Sequence, residues 1–381
     1  MVEVNEERML AEFKELVAVP CHGLKERQVF LLLKSKLEYL GFKVEEDFAG
    51  EKLGGETGNL WAYLAGTKKN AVRLLLTAHM DGVEPCGGTT VIEKDGCLFS
   101  DGTTILGADD KSGVAAILEG LRLYLASGKA HGDIQVLFTI AEEGGLNGSR
   151  CLDASRLRSD LAYALDDGGD PGEIVIGAPG QYQYKIDIYG KKAHGGVEPE
   201  KGINAIMVAA KALSGVKRYG RIDSETTVNI GLIAGGCATN IVPDLVTIAG
   251  DARSRDAAKL EAIRDEVVGS IIRSVILQGA KGEASVEHKY NAYKLKEESP
   301  VVKLAQKACA IALVRPYTAL SGGGSDANFI NGYGIPCAVL GTGMKKVHTT
   351  EEYIRKEDLF NSARIVYGLI EAAAQSSRFG A

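Results

Sequence analysis

No stretch of the 381 residues approaches the roughly 18 consecutive apolar positions that a membrane-spanning helix needs, so no membrane association is expected. Runs of one charge are missing too. The 44 Lys and Arg stand against 50 Asp and Glu, a net charge of −6 dispersed along the chain. A nucleic-acid partner requires basic residues gathered on one face, and no such cluster occurs. The opening MVEVNEERMLAEFKEL is acidic and amphipathic, without the basic start and apolar run of a secretory signal. There is no CxxC pair among Cys21, Cys86, Cys97, Cys151, Cys237, Cys309 and Cys337, whose odd number and wide spacing describe reduced thiols in a cytoplasmic protein. Neither GxGxxG nor a Walker sequence follows the first predicted strand, which argues against a nucleotide-binding or redox α/β protein. Internal repeats and low-complexity tracts are absent as well.

What remains is an ordinary globular composition, 45% hydrophobic and 25% charged, in a chain long enough for two or three domains at roughly 150 residues each. In the first half, helical patterns alternate with short, nearly continuous apolar runs: GNLWAYLAG, AVRLLLTAHMD, DIQVLFTIAEE and DLAYALDDGG. Strands of that kind are buried on both faces, so a mostly parallel sheet covered by helices is expected. From about Gln181 the strands alternate instead, as in YQYKIDIYG, TTVNIGLIAGG and LVTIAGDARS, with helices from Asn204 to Leu213 and from Ala257 to about Ile276. That order describes an α+β sandwich. The α/β texture returns at Pro300. The reading is therefore an α/β domain built from residues 1–180 and 296–381, interrupted by an inserted α+β domain at 181–295.

Five polar sites punctuate this pattern. Strand alternation sends His79 and Asp81 of TAHMD to one side, and Asp109 and Asp110 of GADDKSG open a helix. Glu142 and Glu143 of AEEGG and Asp166 and Asp167 of ALDDGG close two further strands, and His348 lies in VHTTEEY. Each has an ordinary explanation alone: a helix cap for Asp109 or Asp110, a solvated strand end for the glutamates. Together they fall at or just after the carboxyl ends of strands, the edge where open α/β sheets place ligands. Two imidazoles and several carboxylates gathered there repel one another unless cations intervene, and the donor types suit zinc first, then cobalt or manganese.

With these motifs in view, and with GGGSDAN and HTTEEY following GADDKSG and AEEGGLNGS in order, the chain resembles the two-zinc exopeptidases and deacylases that include peptidase T, carboxypeptidase G and acetylornithine deacetylase. The peptidase T-like subgroup is nearest, and the resemblance spans essentially the whole chain. It implies that His79 and Asp166 ligate one metal, that Glu143 and His348 ligate the other, and that Asp109 bridges them and is followed by a cis peptide. Asp81 would orient His79, and Glu142 would serve as general base toward a water activated between the two cations. In the inserted domain, a lid and dimerisation domain on this reading, His194 would donate to the oxyanion, in many relatives that of the neighbouring subunit. Asn240 would contact substrate, Arg253 would clamp a substrate carboxylate, and Gly323 would present its N–H to the cleft. The expected activity is release of N-terminal residues from short peptides by a homodimer. Asp at position 166 favours a peptidase over the acylases, which more often carry Glu. A carboxypeptidase, an N-acyl amino acid deacylase and a non-catalytic peptide-binding relative are the alternatives.

Overall fold

The computed structural model describes residues 2–378, and the chain divides into two compact units. The first comprises Met1–Gly177, Leu295–Ser321 and Ser325–Ala381; the second comprises Ala178–Lys294 with Gly322–Gly324. The sequence reading assigned Gly322–Gly324 to the first. They group with the second because Gly324 lies against Tyr290, where an added Cβ would come within 2.4 Å of the ring.

The first unit is built on an eight-stranded sheet. Its order is Lys43–Glu46, Leu60–Leu64, Ile134–Thr139, Leu74–His79, Leu161–Asp167, Cys337–Gly341, Glu173–Val175 and Tyr317–Ala319. The four middle strands, from Ile134–Thr139 to Cys337–Gly341, are parallel, while Leu60–Leu64 and Glu173–Val175 pair antiparallel with them on either side. Every residue of Leu74–His79, Ile134–Thr139 and Cys337–Gly341 is buried. This is the two-sided burial that continuous apolar runs foretell. Each Leu or Ile so buried contributes about 1.5–3 kcal/mol of hydrophobic stabilisation.

The helices Ala108–Ala126 and Lys356–Ala374 belong to the same core. They cross at Gly120, where a Cβ would sit 2.5 Å from Cβ of Val366, so only glycine permits this approach. A smaller sheet adds Tyr353–Arg355 to the hairpin Val91–Lys94 and Cys97–Ser100, whose turn is the dipeptide Asp95-Gly96 with φ of 50° and 76°. Two consecutive positive φ values are what a tight hairpin turn demands.

The second unit has its own core around Ile186, Ile188, Val246, Ile248, Ile263 and Ile271. An antiparallel sheet in the order Gly220–Arg221, Thr226–Gly235, Leu245–Ser254, Gly180–Tyr189 and Lys281–Tyr290 carries the helices Ala205–Ser214 and Ala257–Leu277. Asn204 and Asp256 cap these helices through their side chains. Among the described residues no helix is long and apolar enough to cross a membrane.

Candidate metal centre

The middle strands of the first unit run parallel, so their carboxyl ends share one edge, and the polar segments meet there. Leu74–His79 ends in His79, Leu161–Asp167 ends in Asp166 and Asp167, and Ile134–Thr139 runs into the turn bearing Glu142 and Glu143. Asp109 lies at the start of Ala108–Ala126, where its own backbone and that of Asp110 are not helical; the peptide joining them is cis. His348 is supplied by the loop after Cys337–Gly341, at φ 64°.

Asp109 stands between the two histidines. Its Oδ1 is 3.1 Å from Nε2 of His79, and its Oδ2 is 3.2 Å from Nε2 of His348. Asp166 Oδ1 approaches the same His79 nitrogen at 3.8 Å, and Glu143 Oε1 approaches Nε2 of His348 at 3.0 Å. Donor atoms of His79, Asp109 and Glu143 lie within 4.8 Å of one another, as do those of His79, Asp110 and Asp166. Asp110, however, has main-chain duties: Oδ2 accepts the N–H of His79 and Oδ1 that of Gly113. Asp167 likewise turns away to accept from Gly169.

Behind this cluster, Asp81 is fully buried. Its Oδ1 lies 3.2 Å from Nδ1 of His79, without the alignment of a full hydrogen bond, and its two oxygens accept the N–H groups of Glu142 and Glu143. Lys111 Nζ holds the carbonyls of Met80 and Asp81. A carboxylate at the far nitrogen of an imidazole is the arrangement that orients a metal-ligating histidine.

The electrostatics follow from burial and crowding. Burial pushes the Glu142 carboxyl well above its ordinary range; His79 opposes the shift, and Asp326, Glu143 and Asp81 add to it. Asp166 is raised by burial and by Asp110 and Glu142. Asp109 goes the other way: burial raises it, but hydrogen bonding with His348 and His79 wins. Burial opposes protonation of His79, yet Asp109 and Asp81 lift it well above the usual imidazole value; His348 rises to about 10 through Asp109 and Glu143. The donor chemistry therefore fits divalent cations: carboxylate oxygens and imidazole nitrogens converge, and Glu143 Oε1 is buried with no aligned hydrogen-bond donor.

The expected residues thus fall into two groups. His79, Asp81, Asp109, Glu142, Glu143, Asp166 and His348 come together in the first unit, whereas His194, Asn240, Arg253 and Gly323 belong to the second. There His194 is exposed and its Nδ1 accepts the Gly196 N–H, while the carbonyl of Asn240 accepts from Gly195. Arg253 donates from Nε to Asp251 and lines an open cleft of about 940 Å³ together with Gln181, Asn229 and Gly322. Arg255, its near neighbour in sequence, donates instead to the Ser224 carbonyl.

Three buried acids that bond to the segments bearing these residues were not singled out from the sequence. Glu26 accepts the N–H groups of Leu24 and Ala141, Glu352 accepts those of Gly107 and Asp109, and Asp326 accepts from Thr139. Glu352 stands inside HTTEEY and Asp326 inside GGGSDAN, so motif membership was the available signal; Glu26 had none.

Comparison with known proteins agrees with this geometry. Residues 75–372 match the peptidase family M20/M25/M40. The Bacillus subtilis protein YqjE is 42% identical over 98% of this chain and its own full length. The crystal structure of aminopeptidase PepT from Bacillus cereus superposes with a TM-score of 0.89 at 41% identity, covering 97% of this chain and 99% of that one. A tripeptidase from Staphylococcus aureus gives 0.93 at 39% identity over 98% and 100%. With most of its length matched and its metal-suited donors on one sheet edge, the chain belongs to the peptidase family M20/M25/M40.

Proposed function

We propose that this metallopeptidase releases N-terminal residues from short peptides, tripeptides among them, with two divalent cations, zinc in the first place. The observation that carries the reading is the divided attention of Asp109, one oxygen toward His79 and the other toward His348. His79, Asp109 and Asp166 would hold one cation, and Asp109, Glu143 and His348 the other. When bound, the cations supply the positive charge that offsets the carboxylates, acidifies water and polarises the scissile carbonyl.

The chain's own groups perform the remaining tasks. Asp81 stands 3.2 Å from Nδ1 of His79, where it backs the ring, and fixes the main chain under Glu142 and Glu143. The Glu142 carboxylate takes a proton from the attacking water and returns it to the leaving amine; its raised affinity for protons suits both halves of that transfer. In the second unit, acceptance of the Gly196 N–H at Nδ1 of His194 leaves the ring proton on Nε2, a donor suited to a developing oxyanion. Arg253, oriented by Asp251, presents a planar fork suited to a peptide carboxylate, with Asn240 and the Gly323 N–H as further polar contacts. The exposed apolar side chains Met207, Leu232, Ile233 and Leu277 support a homodimer formed through this lid unit, and seven free cysteines support a cytoplasmic setting.

A panel of di- and tripeptides with free and blocked termini, supplied with zinc or cobalt, tests the reading. Release of N-terminal residues that disappears in Glu142→Ala supports it. Cleavage restricted to peptides with blocked N-termini or to acylated amino acids would reassign the chain to the deacylases, and release from the C-terminus to the carboxypeptidases.

A further inference from the structure

Glu352 sits four positions beyond His348 and is completely buried. Its Oε2 accepts the N–H of Gly107 at 2.6 Å, and its Oε1 accepts that of Asp109 at 3.0 Å. A single carboxylate therefore grips the short non-helical stretch that presents Asp109. Gly107 enters that stretch at φ 80°, and Asp109 and Asp110 depart from helical geometry within it.

The segment that carries Glu352 is itself tied down. Glu352 N–H bonds to the carbonyl of Thr349, and Lys345 and Tyr353 exchange main-chain hydrogen bonds at 2.9 and 3.0 Å. Tyr353–Arg355 then joins the edge of Cys97–Ser100. These bonds close the loop in which His348 takes its left-handed conformation, with Nε2 3.2 Å from Oδ2 of Asp109. His348 side-chain exposure is 49%, so packing alone holds it loosely. The Glu352 carboxylate is a direct tie from the segment that carries His348 to the main chain that presents Asp109.

We infer that Glu352 is the positioning residue that sets the separation of His348 from Asp109, and through it the affinity of one of the two cation positions. The inference rests on the two-metal reading above. A carboxylate that merely satisfied two buried N–H groups would support both positions equally. One that sets this separation acts chiefly on the position containing His348, because the other position shares Asp109 but keeps His79 and Asp166 at the ends of their own strands.

Two substitutions separate these roles. Glu352→Gln keeps one acceptor oxygen but turns an amide NH2 toward a main-chain N–H, while Glu352→Asp keeps the charge and draws the carboxylate back by one methylene. The metal-free full chain is titrated with cobalt(II), followed by its visible absorption and by competition with a chelator of known affinity; His348→Ala serves as reference. The expected result is two equivalents bound by the native chain. In both Glu352 variants and in His348→Ala, one equivalent binds as in the native chain and the other is weakened about 10–100-fold. Equal weakening of both equivalents, or of neither, while the native chain binds two, would overturn the inference and leave the two-metal reading standing. A native chain that binds fewer than two would overturn both. Should one variant fail to fold, the other decides by the same criterion.

Discussion

Asp81 accepts the main-chain N–H of Glu142 at 3.0 Å with one oxygen while its other oxygen accepts that of Glu143 at 3.1 Å. A single side chain thus aligns the proposed general base with its neighbouring ligand and also backs the ring of His79. Asp81→Asn is nearly isosteric but turns an NH2 toward one of these donors. Turnover and metal affinity should each fall about 10–100-fold, with kcat lowered more than KM is raised. Steady-state kinetics and metal competition on the purified variant check this; native values for both would remove Asp81 from the supporting role.

The two histidines should respond differently to removal. His79 has 1% of its side chain exposed and stands among Asp81, Asp109 and Asp166, whereas His348 has 49% exposed. His79→Ala leaves buried carboxylates without their cationic partner, so the metal-free protein should lose about 3–5 kcal/mol in urea unfolding. His348→Ala should change metal-free stability by less than about 1 kcal/mol, as expected for a partly exposed pair.

Chelation should lower the melting temperature of the native chain. A cation present at about 100 times its dissociation constant stabilises the folded state by about 2.7 kcal/mol. Scanning calorimetry with and without a chelator reads the difference, and re-addition of zinc restores it.

Glu26 gives the metal-free protein a pH dependence whose sign is fixed by burial. Burial raises this carboxyl from 4.5 to about 7, Asp81 adds to the shift, and the N–H of Ala141 and of Leu24 oppose it. Between those values the folded chain binds more protons than the unfolded chain. The contribution is therefore fully present below the unfolded value and is lost as pH rises through the folded one. Glu26→Gln, neutral throughout, should gain on the native chain by up to roughly 3 kcal/mol between about pH 5 and about pH 8. Urea unfolding across that range measures the relative gain, and parallel curves for the two proteins would refute it.

At Gly120 two effects compete. Alanine gains about 1 kcal/mol in helix propensity. Its Cβ would fall 2.5 Å from Cβ and Cγ1 of Val366 and 2.9 Å from the carbonyl of Ala363. Overpacking of this severity costs about 1–3 kcal/mol, so Gly120→Ala should lower the melting temperature while the metal stoichiometry stays unchanged.

The central strands were legible because burial on both faces leaves a continuous apolar run, and the polar residues that interrupt it stand where each run ends. His79 and Asp166 are the plainest cases. The hairpin around Asp95-Gly96 was overlooked although that dipeptide is a strong turn signal, because VIEK and CLFS are short and, apart from Leu98 and Ser100, partly or fully exposed. The omission mattered, since this hairpin anchors the strand that follows Glu352. Glu26 was illegible for a different reason, and Glu352 was marked only by its place in HTTEEY. A buried acid and a solvated one look alike in a sequence, and only the main-chain donors that converge on these two distinguish them. Gly322–Gly324 could not be assigned to the second unit in advance, because their grouping depends on the absence of a side chain beside Tyr290.

The donors also have an order in time. His79, Asp109 and Asp166 precede Ala178–Lys294 along the chain, and His348 follows it. On the proposed assignment, a polypeptide emerging from the ribosome carries the three donors of one cation position before the intervening unit is made, while the other lacks its imidazole until that unit has been translated.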